Sequence, residues 1–174
     1  MFFDSVFVSL KLFFLKKKVK KKSLSILLRP SQDLPLKPLA LLIDLDVHDL
    51  DTVLHQCSNI FEVPEVDIEV LGFSVKGVAC KVPNFKIRKE LSWFNGVENM
   101  HVALFISKPY KYFIDFHESN APSVCLIALK TKANFRIGFK GHNYKTADFI
   151  LETPLSNQTT LFNALALYIK KITI

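Results

Sequence analysis

Hydrophobic positions along this chain alternate between short continuous runs and stripes at helical spacing. Leu39-Ala-Leu-Leu-Ile-Asp44 is an unbroken apolar run. That is the pattern of a strand buried on both faces of a parallel sheet. Val47, Leu50, Val53, Leu54, Cys57 and Ile60–Phe61 then recur at helical spacing as far as Pro64. They predict a helix capped by Asp46 or Asp49, with Asp51 favouring its positive end. Val66–Phe73, bounded by Gly72, reads as a second strand, and Glu98–Ser107 as a short helix. Tyr110–His117 is the next strand. Ser119–Lys130 is the next helix, with Pro122 tolerated in its first turn. Phe135–Phe139 and Ala147–Glu152 are further strands. Asn157–Ile172 closes the chain as an amphipathic helix with Leu161, Leu165, Tyr168 and Ile169 inward. Residues 74–99 carry no clear period. Strands alternating with helices predict an α/β domain with a doubly wound, mainly parallel, Rossmann-like sheet and right-handed crossovers. Its core should bury Ile114 and Phe116 with Leu41, Ile43, Val70 and Ile137.

Residues 1–22 form a separate element. Phe3, Val6, Phe7, Leu10, Phe13 and Phe14 repeat at helical spacing, followed by Lys16, Lys17, Lys18, Lys20, Lys21 and Lys22. This predicts a basic amphipathic helix. Either it packs its aromatic face on the domain or a protein partner, or it lies in an anionic membrane surface with its lysines on the headgroups. The lysines follow the apolar stretch, the reverse of a secretory signal. Asp4 and Lys11 interrupt that stretch, which is shorter than the roughly 20 residues of a spanning helix. Residues 23–38, with Pro30, Pro35 and Pro38, read as a linker, and residues 39–174 as a single domain.

Composition narrows the function classes. The net charge of +7 suggests nucleic acid, but residues 1–22 hold seven lysines and one acid, net +6, leaving +1 for the rest. A near-neutral domain is not expected to bind nucleic acid specifically. Five glycines make a Gly-rich phosphate loop improbable. The cysteine count is odd and no C-x-x-C pair occurs, so free thiols in a reducing cytoplasm are expected. Cys57 and Cys125 fall in apolar helical patterns and read as core thiols.

Candidate chemistry clusters at strand ends. Asp44-Leu45-Asp46-Val47 resembles the D-x-D-x-[TV] motif of haloacid-dehalogenase-type phosphatases. That resemblance implies a nucleophile, a proton shuttle and Mg²⁺, but no later acidic pair accompanies it, and helix capping explains the acids better. Asp115, His117 and Glu118 sit where open α/β sheets bind ligands. His117-Glu118 is not H-E-x-x-H, because Ala121 takes the second histidine's place. A metal site would need His48, His101 or His142 to converge. Neither a metal nor a cofactor is expected. Lys86, Arg88 and Lys89 beside Phe85 and Trp93 form a short basic patch that could bind phosphate or nucleic acid but reads more simply as solvated charge, and Trp93-Phe94 could anchor a partner but more simply seals the edge of a core.

Two resemblances follow from these segments. The basic N-terminal stretch, Leu-Leu-Ile-Asp, Ile-Glu-Val-Leu-Gly-Phe, Leu-Ser-Trp-Phe-Asn, Tyr-Lys-Tyr-Phe-Ile-Asp-Phe and Phe-Arg-Ile-Gly-Phe together resemble a bacterial family, small uncharacterised Bacteroidetes proteins carrying a domain of unknown function. Residues 110–139 resemble the N-terminal half of lipopolysaccharide heptosyltransferases, with Asp115, Arg136, Gly138 and Phe139 matching. This chain lacks the early Gly-Asp loop and room for a second nucleotide-sugar domain, so the likeness implies fold alone. The resulting expectation is a non-catalytic binding or interaction domain, cytoplasmic or peripheral at the membrane. The alternative is a small enzyme, sugar-nucleotide transferase or phosphatase-like hydrolase, using strand-end residues. Convergence of His117 with other polar side chains would favour the enzyme.

Overall fold

The computed structural model of the chain describes residues 35–74, 84–86, 100–117, 122–140, 147–153 and 155–172. Six strands form one sheet: β1 (Lys37–Asp44), β2 (Ile68–Ser74), β3 (Asn84–Lys86), β4 (Pro109–Phe116), β5 (Lys132–Phe139) and β6 (Phe149–Leu151). Their order is β3-β2-β1-β4-β5-β6, and every neighbouring pair is parallel. The sheet expected to be mainly parallel is parallel throughout the described strands. Among the described residues four α-helices accompany it: α1 (Leu50–Phe61), α2 (Met100–Ser107), α3 (Pro122–Lys130) and α4 (Gln158–Ile172). The basic N-terminal segment 1–22 and most of residues 74–99, Arg88, Lys89 and Trp93-Phe94 included, lie outside the described residues.

Alternation along the strands builds two apolar layers. Leu41, Ile43, Val70, Ile114, Phe116 and Ile137 pack beneath α1 and α4, which contribute Val53, Cys57, Leu161 and Leu165. Ala40, Leu42, Leu71, Phe73 and Phe113 face the other way and meet Val102 and Phe105 of α2 with Val124 and Ile127 of α3. Both faces are covered, so the strands are apolar on both sides, as the continuous runs required. Gly72 serves one close approach: a Cβ there would lie 2.5 Å from Leu45 Cδ1, so its absence lets Leu45 fold over β2.

Local rules account for the departures from periodicity. β1 begins at Lys37, before the apolar run, and includes Pro38 in its first turn of pairing, where a missing N–H is tolerated. β2 starts at Ile68 because Glu65–Asp67 form a 3₁₀ turn after Pro64. α1 starts later than the stripe suggested. Asp49, not Asp46, caps it, accepting the Thr52 N–H at 3.0 Å. That leaves Val47 in the β1–α1 turn and 65 % exposed. Tyr168, expected inward, is 41 % exposed, because β6 is the last of the described strands on that side and the ring packs tilted against Phe149, centroids 4.7 Å apart.

Candidate functional site

The strand order places β1 and β4 side by side. The connection after β1 leaves over one face through α1, and the one after β4 over the other through α3. The strand order reverses there, and the carboxyl ends of the two strands are where doubly wound sheets bind ligands. Asp44 ends β1, and Asp115 and His117 end β4.

Positions i and i+2 of a strand share one face, so Asp115 and His117 point together toward α3. Asp115 Oδ1 bonds His117 Nδ1, both side chains buried, at 3 % and 1 % exposure. Phe73 packs edge-on against the imidazole, ring centroids 5.9 Å apart. Cys125, on α3, is buried as well. Burial pulls the His117 pKa down. The Asp115 carboxylate, its hydrogen bond and the Cys125 sulfur together outweigh that and raise it to about 10. His117 is therefore an imidazolium at neutral pH, held in a buried ion pair.

A second linked group lies on the β1 side. Asp44 Oδ1 accepts the Asp46 N–H at 3.0 Å, which fixes the turn after β1. Asp46 Oδ1 accepts the Ser74 hydroxyl at 2.7 Å and ties that turn to the end of β2. Burial, with Asp46 nearby, raises the Asp44 pKa against the lowering effect of the Asp46 N–H, His48 and His117. Asp44 and Asp46 are half-buried, so these carboxylates reach solvent while His117 does not. His48 is buried beside Phe116, and its Nδ1 lies 3.5 Å from Gln158 Nε2 at the start of α4.

Polar side chains also line a shallow cleft at this end of the sheet, between the first turns of α1 and α4. Thr52, Gln56, Gln158, Thr159, Phe162 and Asn163 surround about 150 Å³. A cleft of about 500 Å³ lies at the opposite end, with Phe61, Tyr112 and Ile169 in its wall and Lys111 and Lys170 at its rim.

Of the residues singled out by sequence, Asp44, Asp46, Asp115 and His117 lie at the carboxyl ends of β1 and β4, whereas Glu118 lies outside the described residues. His101 stands exposed on α2. Among the described residues no three His, Cys, Asp or Glu side chains are arranged to hold a metal ion. Sequence reasoning missed Ser74. Cys125, read as a core thiol, is buried as expected.

Arg136, one of the residues shared with the heptosyltransferase pattern, does not join this group. Its guanidinium is fully buried and donates from Nη1 to the Ala128 carbonyl at 2.7 Å and from Nη2 to the Thr131 carbonyl. Ala128 lies in the last turn of α3 and Thr131 just beyond it, where no further helical N–H satisfies the carbonyls. The ring of Phe113 lies 5.7 Å below the guanidinium.

The class defined by this architecture is an α/β domain with a doubly wound sheet, parallel throughout the described strands, and polar side chains at its switch point. Residues 11–172 match a family of unknown function (DUF6913), and the chain belongs to that family. No curated protein and no solved structure matches it.

Proposed function

We propose that this chain is a non-catalytic ligand-binding domain whose ligand sits at the carboxyl end of the sheet, over the ends of β1 and β4 and the cleft between α1 and α4. One observation carries the reading. The accessible groups described there are hydroxyls, amides and half-buried carboxylates, while the histidine that could move a proton is buried and paired. A general base needs a pKa near working pH and contact with substrate, and His117 has neither. Carboxylates and amides accept from and donate to hydroxyls, so an uncharged polyhydroxylated ligand fits this end. Phosphate fits poorly, since Asp44, Asp46, Asp49 and Asp51 crowd the turn where a Gly-rich cradle would sit.

The expected result is that methyl glucoside shifts the backbone amide resonances of Thr52, Gln158 and Asn163 at millimolar concentration. The same protein should release no aryl phosphate with Mg²⁺. Absence of shifts at these residues would sink the binding site. Hydrolysis that disappears in Asp44→Asn would replace the reading with a phosphatase.

A partner surface accompanies this site. The lysines from Lys16 to Lys22 would hold the domain reversibly on an anionic membrane, each worth about 1 kcal/mol near such a surface. Among the described residues no helix is long and apolar enough to cross a membrane. The full chain should co-sediment with phosphatidylserine-containing vesicles, less so at high salt, where the shorter Debye length screens the attraction between lysines and headgroups. A chain lacking residues 1–22 should remain in the supernatant. Equal recovery of both in the supernatant would remove the membrane from this proposal.

A further inference from the structure

The proposed binding site leaves the opposite end of the sheet without a role. There the last turn of α1, the start of β4 and the last two turns of α4 line a cleft of about 500 Å³, a volume within the range of small-molecule sites. Three kinds of group meet in it. Phe61 and Tyr112 supply aromatic surface. Both are only partly buried, their ring centroids lie 5.1 Å apart, and Phe135 stands edge-on to Tyr112 at 6.3 Å. Lys111 and Lys170 supply positive charge. The Lys111 ammonium lies 5.2 Å from the Tyr112 ring centre, and neither lysine forms an ion pair among the described residues. Glu62 and the end of α1 supply negative charge. The N–H groups of Glu62 and Val63 both go to the Ser58 carbonyl, so those of Asn59, Ile60 and Phe61 have no helical partner. Glu62 also holds a φ of 55°, where a helix end is usually glycine, so a carboxylate stands where backbone stability favours none.

We propose that this cleft is a second binding site, for a free aromatic amino acid. The ligand's ring packs on Phe61 and Tyr112, its carboxylate meets Lys111 and Lys170, and its ammonium meets Glu62 and the carbonyl end of α1. Neither charge alone fits as well. An aromatic anion without an ammonium would face Glu62 and the negative end of α1 with nothing to offer them. An aromatic cation without a carboxylate would face two lysines. A zwitterion answers both walls at once, and the apolar floor between them rewards a ring over a small polar side chain. The site lies at the other end of the sheet from the polyhydroxylated ligand proposed above, and the two stand or fall separately.

The test titrates the isotope-labelled full chain with three probes and follows the backbone amide resonances of Glu62, Lys111, Tyr112 and Lys170. The probes are L-tryptophan, indole-3-propionate, which lacks the ammonium, and tryptamine, which lacks the carboxylate. L-tryptophan is expected to shift all four resonances at millimolar concentration, with each analogue bound at least about fivefold more weakly. Lys111 is exposed, so Lys111→Gln leaves the fold intact. That variant is expected to weaken L-tryptophan and indole-3-propionate by about fivefold and to leave tryptamine no weaker. Absence of shifts with L-tryptophan, or equal binding of the three probes, would overturn the proposal. So would a Lys111→Gln chain that binds L-tryptophan unchanged or loses tryptamine equally. Shifts confined to Thr52, Gln158 and Asn163 would move the amino acid to the other cleft and overturn it too.

Discussion

Arg136→Ala should destabilise the domain by on the order of 4 kcal/mol in urea unfolding. Two buried carbonyls at the end of α3 would lose their donors, each at a cost of about 1–3 kcal/mol, and the removed side chain would leave a cavity. The guanidinium reaches both because its fork is planar and rigid, so Nη1 and Nη2 serve Ala128 and Thr131 at once. Arg136→Met separates the two effects, since it keeps most of the volume and loses the donors. It should fall between the alanine variant and the unmodified chain, and amide exchange in the last turn of α3 should accelerate. If Arg136→Met were as stable as the unmodified chain, the guanidinium would not be what holds α3 closed. The match of Arg136 to a glycosyltransferase pattern would then need a different explanation from helix capping.

Ile114→Ala should cost about 2–5 kcal/mol, the transfer of the lost methylenes plus the cavity left behind. β4 lies between β1 and β5, and Ile114 pairs across the sheet with Leu41 on one side and Ile137 on the other. All three are fully buried beneath α1 and α4, which leaves the site little freedom to collapse. Ile150→Ala on β6 is the matched comparison. That residue is partly exposed on the last strand of the sheet, so its loss should be under about 1 kcal/mol. Similar losses at the two positions would mean that β4 does not occupy the centre of the sheet.

Both predictions concern elements that the hydrophobic pattern announced with different clarity. β1 and β4 were legible because a strand buried on both faces must be apolar at every position, and Leu39–Ile43 and Tyr112–Ile114 are. α1, α3 and α4 were legible from their stripes, with errors confined to ends. Val47 belongs to the stripe by spacing, yet Asp49 bonds the Thr52 N–H and starts the helix three residues later. Tyr168 belongs to its stripe too, but among the described residues no strand lies beyond β6 for it to cover. Periodicity reports which face of an element is apolar and does not report where the neighbouring layer stops.

The candidate site was half legible. Asp115 and His117 stand two apart on one strand, so their shared face follows from sequence alone, as does their place at a strand end. Their burial and the charge that Asp115 holds on His117 do not, because each depends on α3 crossing that face. Ser74 reaches Asp46 across 28 positions of chain. Gln158 reaches His48 across 110. Arg136, which the heptosyltransferase likeness matched at the level of fold alone, serves the end of a helix, a role visible only once β5 and α3 are in contact. What the sequence by itself determined is the order of elements, the two-faced core and the basic character of residues 1–22, since these follow from local period and charge. The tertiary structure decided which polar groups meet, which remain open to a ligand and which are sealed. Those outcomes depend on strand order and helix crossing, which bring together residues that no local pattern links.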